Sequence, residues 1–90
     1  MQYAVLVRVS MSDTEAATRF LHEQIVPGIS QAQGFVGGYW TLSDDGSTGR
    51  SMIIFESEDA ARAAKELIQP PPDGSAAIEN LDIGEVIATA

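Results

Sequence analysis

A few side chains in the first half of this sequence belong to types that carry out chemistry. His22 is the only histidine, and an imidazole that titrates near neutral pH can act as a general base or as a haem ligand. Tyr39 and Trp40 are adjacent aromatic residues, and either ring could stack on a flat molecule. Arg8 is the single charge in an apolar stretch, where it could bind an anionic group.

Each of these residues also has an ordinary structural explanation. A lone histidine without cysteine or a local carboxylate pattern is a weak metal signal, so His22 could be a partly exposed surface residue. The two aromatic rings could belong to the core or to an interface. A buried arginine must be paired, and Glu56 and Glu85 are candidate partners for Arg8 on neighbouring strands. The choice depends on the elements that hold these side chains.

Composition excludes several classes of function. The chain has 90 residues, which we interpret as a single domain spanning 1–90, and 44% hydrophobic content is typical of a globular protein. It contains no cysteine, so thiol chemistry and disulfides are excluded. Its net charge of −8 disfavours nucleic acid and anionic membrane surfaces as partners. With no apolar run long enough to span a bilayer and no basic leader, we expect a soluble, cytoplasmic protein.

The first half of the chain predicts a strand followed by a helix. Residues 3–10 read YAVLVRVS, a short run of mostly apolar residues that is rich in valine. The pattern S-x-x-E at 12–15 predicts a capping box with Ser12 as N-cap. Pro27 should kink or end the helix, and Gly34 should terminate the segment after it. Residues at helical spacing form one apolar stripe: Ala17, Phe20, Leu21, Gln24, Ile25 and Gly28.

The second half predicts three strands and one helix. Gly37 and Gly38 mark a bulge in an aromatic strand, Ser57 is the expected N-cap of the second helix, and three prolines at 70–72 form a stiff connector. The predicted strands span 35–43, 50–56 and 81–89, and a hairpin loop over 44–49 joins the first two of them. The predicted helix spans 58–68, and the connector after it spans 69–80.

The order β-α-β-β-α-β is that of the α+β, ferredoxin-like fold. Right-handed crossovers place both helices on one face of a four-stranded antiparallel sheet. Tyr39 and Trp40 then point to opposite faces, and the predicted bulge decides which ring faces the helices. The predicted strands are apolar on both faces, so the face without helices would expose apolar side chains. We therefore expect a homodimer joined through its sheets.

The chain resembles the dimeric α/β-barrel superfamily, and in particular its antibiotic-biosynthesis monooxygenase (ABM) family. The resemblance covers nearly the whole chain and is carried by YAVLVRVS, IVPGISQAQGFVG, GRSMIIFES and EDAARAAKELI. It implies a ligand pocket between sheet and helices and cofactor-independent oxygenation of an aromatic or polyketide-like molecule. For such a pocket, the candidate catalytic residues are His22 and Trp40, and the candidate substrate contacts are Tyr39, Arg8 and Phe20. The haem-degrading branch uses an asparagine on its first strand and a histidine on its second helix, and both are missing here.

Two functions remain open on the sequence alone. The first is a small ABM-like monooxygenase without a bound cofactor. The second is a non-catalytic dimeric module that binds a ligand or assists another protein, with the pocket filled by side chains. An open cavity of at least ~300 Å³ with His22 facing it would favour the enzyme.

Overall fold

The strands and helices follow one another in the predicted order. The computed structural model describes all 90 residues. Its elements are β1 (Tyr3–Met11), α1 (Thr14–Phe20), a π-helical segment (Leu21–Ile25), α2 (Val26–Ser30), β2 (Phe35–Leu42), β3 (Thr48–Phe55), α3 (Glu58–Lys65) and β4 (Ala76–Glu85). None of the helices has both the length and the apolar character that crossing a membrane requires.

The strands form one antiparallel sheet in the order β2-β3-β1-β4. Two helical layers cover one face of the sheet: the first consists of α1, the π-helical segment and α2, and the second is α3. The odd-numbered residues of β1 point toward these layers, and Val5 and Val7 are buried beneath them. Val5 is fully buried there, and Ile53 and Phe55 of β3 lie beside it. Ile29 and the alanines of α3 close this core from the helix side. The predicted α+β, ferredoxin-like class is confirmed.

Helix α1 begins one residue later than the sequence predicts. The N-cap is Asp13, whose carboxylate accepts a hydrogen bond from the Ala16 N–H at 3.1 Å. The Ser12 hydroxyl is directed elsewhere and donates to the Gly74 carbonyl across the molecule at 2.8 Å, and the Ser12 N–H that Glu15 would satisfy in a capping box donates to the Ser75 carbonyl at 2.9 Å. The prediction of a capping box centred on Ser12 is therefore wrong, although a helix does start at this point.

Pro27 widens the first helix before it rather than ending it. A proline inside a helix lacks an N–H and its ring crowds the carbonyl four residues earlier. The chain adapts through the π-helical segment, where the Val26 N–H donates to the Leu21 carbonyl five residues back. The helix then continues as α2 to Ser30. Gly34 ends the segment with a φ of +80°, as expected of a terminating glycine.

Strand β4 starts and ends earlier than its sequence pattern indicates. The sequence pattern predicts a strand over 81–89, whereas the strand spans Ala76–Glu85. Pairing with β1 extends back to Met11 opposite Ala76, through a register shift after Arg8. Beyond Val86, whose N–H donates to the Gln2 carbonyl, β1 offers no further partner, and Ile87 is 90% exposed.

The sheet face opposite the helices exposes apolar side chains, as the two-faced strand pattern predicts. We call this surface the open face. Tyr39 is 76% exposed on it, Met52 48% and Leu6 39%, and these three residues lie side by side on neighbouring strands. Val36, at the register shift between Phe35 and Gly37, is 48% exposed. In water such a surface is costly to leave uncovered.

The hairpin loop between β2 and β3 is organised around Asp45. The Asp45 carboxylate accepts hydrogen bonds from the Ser47 hydroxyl at 2.7 Å, the Ser47 N–H at 3.0 Å and the Ser43 hydroxyl at 2.8 Å. These donors, the Ser47 hydroxyl foremost, lower the pKa of Asp45 from 3.8 to about 2. The ionised carboxylate therefore holds the loop in its turn.

Replacing Asp13 by alanine should lower the free energy of unfolding by about 1 kcal/mol, since it removes the side-chain N-cap of α1. Ser12→Ala should cost less, because it removes one hydrogen bond at the surface. Urea denaturation of both variants measures the difference. A larger loss in Ser12→Ala than in Asp13→Ala would contradict the assigned cap.

Asp45→Asn should reduce the dependence of stability on acid pH. Because the folded-state pKa is the lower one, the contribution of Asp45 is present above about pH 4 and is lost as the pH falls toward 2. The wild type should thus exceed the variant in urea midpoint at pH 6, with the gap shrinking by pH 2. A gap independent of pH would rule out the hydrogen-bonded carboxylate as its source, and Asp44→Asn serves as the matched control.

Candidate active site

A pocket lies between the helix-facing side of the sheet, the first helical layer and the connector after α3. Its floor comes from β1, β2, β3 and β4, its roof from α1 and the π-helical segment, and its side wall from residues 68–71. The lining residues are Val7, Val9, Met11, Ala17, Phe20, Leu21, Ile25, Trp40, Thr41, Gly49, Ser51, Ile53, Ile68, Gln69, Pro70, Pro71, Ala76, Ala77 and Ile78.

The pocket is small and mostly apolar. Its cavity volume is about 90 Å³, below the several hundred Å³ of pockets that enclose drug-sized ligands. Ser51 and Gln69 are its polar side chains, and no ionisable side chain lines it. The side chain of Thr41, another lining residue, lies on the opposite face of the sheet, where its hydroxyl donates to the Arg50 carbonyl at 2.7 Å. An organic ligand that enters must displace lining side chains, and it would meet a hydroxyl and an amide rather than charges.

Trp40 is the chemically most distinctive residue of the pocket. It lies on β2 opposite Ser51, is half-buried, and packs against the core cluster. Its six-membered ring folds back over Gly38, where a Cβ atom would lie 3.2 Å from the ring atoms Cη2 and Cζ3. Gly38 thus leaves the space that the indole occupies, and the orientation of Trp40 depends on this glycine.

Phe20 lines the same pocket from the roof, together with Leu21 and Ile25. All three side chains are half-buried and lie at the end of α1 or in the π-helical segment. The wide turn thus occurs in the part of the helix that covers the pocket. π-helical turns are frequent at functional sites because they break the regular helical ladder locally.

His22 is not brought into the pocket. It lies in the π-helical segment next to two lining residues, but its side chain is exposed and does not contribute to the lining. At 100° per residue, His22 is turned away from the face shared by Phe20 and Leu21, and the wider π turn does not bring it back. The structure offers no neighbouring acid that would orient the imidazole as a base.

Tyr39 and Arg8 lie on the open face, on the other side of the sheet from Trp40. The expected ion pair between Arg8 and Glu56 or Glu85 is absent. Arg8 stands opposite Arg50 and Asn80, whereas both acids lie at the other end of β1, where Phe55 and Glu85 flank Tyr3. A contact between either Tyr39 or Arg8 and a ligand in the pocket would require a path around the sheet.

Sequence reasoning missed the polar residues of the pocket. Ser51 and Gln69 belong to no motif, and their positions follow from strand register and from the path of the proline connector. Gly49 also lines the pocket and belongs to no motif. It is buried, and a Cβ there would lie 2.8 Å from Cγ2 of Val9 and 2.9 Å from Cε of Met11. The direct approach of β3 to these two side chains shapes the floor.

The chain has no group of three or more His, Cys, Asp or Glu side chains arranged to hold a metal ion. No protein-family model matches it, and no curated protein matches its sequence. Solved structures do match it. SnoaB, a cofactor-independent oxygenase from Streptomyces nogalater, superposes with a TM-score of 0.75 at 15% identity over 98% of this chain and 95% of that chain.

Two further structures share the fold. A protein from Shewanella loihica PV-4 with a provisional monooxygenase assignment gives a TM-score of 0.66 at 18% identity over 99% of both chains. The ActVA-Orf6 monooxygenase of Streptomyces coelicolor, solved with nanaomycin D, gives 0.58 at 17% identity over 97% of this chain and 92% of that chain. These matches show that the chain shares the fold of the three solved structures over nearly its whole length.

Gly38→Ala should displace the Trp40 ring, and Trp40 is the only tryptophan, so its fluorescence reports the change directly. The new methyl group would stand 3.2 Å from the indole, whereas Gly37→Ala places its methyl group in open space and is the matched control. We expect a shifted emission maximum in Gly38→Ala only. Equal spectra for both variants would show that Gly38 does not set the indole orientation.

Proposed function

We propose that the protein is a cofactor-independent, ABM-like monooxygenase that oxidises a flat aromatic or polyketide-like small molecule. The observation that carries the proposal is the apolar pocket beside Trp40, in a fold shared with SnoaB and ActVA-Orf6. The sequence motifs that resemble the ABM family are markers of the same fold and agree with this proposal.

The reaction class fits a pocket without charged groups. Oxidation of an activated methylene to a carbonyl removes four electrons from the substrate. These reduce O₂, so that one oxygen atom forms the carbonyl and the other leaves as water with the two methylene hydrogens. The substrate is the reductant, and the protein contributes binding, orientation and exclusion of bulk water.

The lining residues suggest how such a substrate would be held. The Trp40 indole offers a flat apolar surface for stacking, and Phe20 faces the pocket from the roof. The Ser51 hydroxyl and the Gln69 amide can hydrogen-bond phenolic or carbonyl oxygens. Since no ionisable side chain lines the pocket, the substrate would have to lose its enolic proton to water, and its own acidity would set the pH dependence.

Binding would require the pocket to enlarge. Its volume of about 90 Å³ does not hold a tricyclic ring system, and the roof is the segment best placed to yield. Phe20, Leu21 and Ile25 are attached where the helical ladder is interrupted. Displacement of these half-buried side chains would open the space over Trp40 without breaking the sheet.

A homodimer formed through the open faces completes the proposal. The apolar side chains of Leu6, Tyr39 and Met52 form a contiguous exposed surface at the centre of that face. Contiguous apolar surfaces of this kind mark interfaces, and two-fold symmetry lets one such surface cover another. The pocket lies on the other side of the sheet and would stay accessible.

A non-catalytic binding module is the second candidate. Three observations favour it: the cavity of about 90 Å³ is smaller than the ~300 Å³ expected of an enzyme pocket, His22 lies outside it, and no ionisable side chain lines it. Such a module would bind the same class of flat molecule beside Trp40 without consuming oxygen, so the two functions differ in turnover and not in binding.

Oxygen uptake with 1,8-dihydroxyanthrone, a tricyclic compound with an activated methylene, tests the proposal. We expect turnover above the rate of autoxidation, with kcat/KM reduced about tenfold or more in Trp40→Ala and largely retained in Trp40→Phe, where an aromatic surface remains. Leu67→Ala, an exposed position outside the pocket, is the control variant.

The outcomes separate the two candidate functions. Saturable quenching of Trp40 fluorescence without oxygen uptake would support the binding module and contradict the enzyme. Uptake that is unchanged in Trp40→Ala would contradict the assignment of this pocket. Absence of both quenching and uptake would contradict both functions for this class of molecule.

A further inference from the structure

Two arginines stand directly opposite each other on the open face. Arg8 of β1 and Arg50 of β3 are Cα partners in the antiparallel register, and both side chains are exposed. Like charges in this position repel each other and destabilise a sheet. The chain has five basic residues against thirteen acidic ones, and yet two of the five are placed together here.

Neither arginine is neutralised within the chain. The ion pairs of the protein are Glu15 with Arg19 and Glu58 with Arg62, both on helices. The strand neighbours of the arginines are Thr41 on one side and Asn80 on the other, and neither carries a charge. The four residues form what we call the arginine row, which crosses the whole sheet: Thr41, Arg50, Arg8 and Asn80.

The adjacent row contains the apolar centre of the open face and one acid. It consists of Tyr39, Met52, Leu6 and Asp82, in the same strand order. Asp82 is exposed on the edge strand β4, and its Oδ1 accepts a hydrogen bond from the Ile83 N–H at 2.8 Å. Its other carboxylate oxygen makes no hydrogen bond to the chain, although Arg8 is a diagonal neighbour in the same sheet.

Closure of a homodimer over this face would bury the arginines, and buried cations need anionic partners. In a two-fold interface the face meets itself, so the available acids are the partner's own. Asp82 lies beside the apolar centre, whereas Glu79 lies at the far edge of the face, where its carboxylate accepts a hydrogen bond from the Ser10 hydroxyl at 2.8 Å. The inference rests on the homodimer proposed above. The direction of the two-fold axis then decides which residues of the two protomers lie over each other. Face-to-face sheets pack either nearly aligned or nearly orthogonal.

Strand spacing allows the possible axes to be compared. A two-fold axis parallel to the strands, through the middle of the sheet, sets each arginine over the partner's arginine row. An axis perpendicular to the strands keeps every residue over its own strand. A diagonal axis, as in orthogonal packing, sets the strands of one protomer at right angles to those of its partner. A distance measured across the strands of one protomer then becomes a distance along the strands of the other.

Of these three axes, the diagonal one brings the partner's Asp82 over both arginines. Measured from Gly37 at the corner of the face, Asp82 lies about 14 Å across and about 7 Å along the strands. By the same spacing, Arg50 and Arg8 lie about 5 and 10 Å across and about 14 Å along. Exchange of the two coordinates puts the partner's Asp82 midway between the two guanidinium groups.

We propose that the dimer is held in orthogonal register by two symmetric ionic clusters, in each of which Arg8 and Arg50 of one protomer bind the partner's Asp82. Leu6 and Met52 then pack around the axis between the clusters. The clusters would select the partner and fix the register, because an axis parallel to the strands sets the two arginine rows over each other and an axis perpendicular to the strands keeps Asp82 over β4, away from the arginines.

A charge-swap experiment tests the proposal by sedimentation. Asp82→Arg and the double variant Arg8→Glu/Arg50→Glu should each raise the dimer dissociation constant roughly 30-fold or more, since each places like charges in both clusters. An equimolar mixture of the two variants should restore a heterodimer, because one cluster is then wild-type and the other has its charges exchanged. Arg19→Glu/Lys65→Glu carries the same change in net charge on the helices and should dimerise like the wild type.

The outcomes distinguish this proposal from the dimer itself. A wild type that sediments as a monomer at micromolar concentration would overturn both. A wild-type dimer with unweakened dimerisation in both variants would overturn the ionic clusters and leave the dimer intact. Variants that are monomeric alone and remain so when mixed would also overturn the clusters, and circular dichroism of each variant shows whether it has folded.

Discussion

The central position of β1 is the constraint on which the rest of the structure depends. β1 pairs along its whole length with β3 on one side and β4 on the other, so its side chains alternate between a face covered by helices and a face that no element of the chain covers. Val5 and Val7 are consequently buried in the core, and Leu6 and Arg8 are left on the open face. The pocket and the proposed interface are opposite sides of the same strand.

This alternation extends through β3 to β2 and separates the two aromatic residues. The shift between Phe35 and Gly37 resets the register, so that Trp40 is paired with Ser51 and Tyr39 with Met52. Trp40 therefore belongs to the pocket and Tyr39 to the open face. The sequence predicts both the bulge and the opposite orientation of the two rings, but the assignment of each ring to a face requires the register itself.

Local signals predicted the elements well where they depend on neighbouring residues. Ser57 caps α3 as expected, because nothing distant competes for its hydroxyl. Ser12 fails as a cap because distant residues fix its position: its hydroxyl donates to the carbonyl of Gly74, 62 residues away, and its N–H donates to the Ser75 carbonyl. The start of β4 was missed for a similar reason, since Ala76 is held in the strand by pairing with β1 and not by its own pattern. The site divides in the same way: Phe20 follows from helix periodicity, whereas Gln69 reaches the pocket through a connector that no periodicity describes.

The central claim is that ligands bind beside Trp40, under the first helical layer. A crystal structure of the protein with anthraquinone, which has no activated methylene to oxidise, tests it most directly. The account predicts the ring system stacked on the Trp40 indole, with Phe20, Leu21 and Ile25 displaced from their positions in the free protein. A ligand bound on the open face beside Tyr39, or a pocket still closed at saturating anthraquinone, would contradict it.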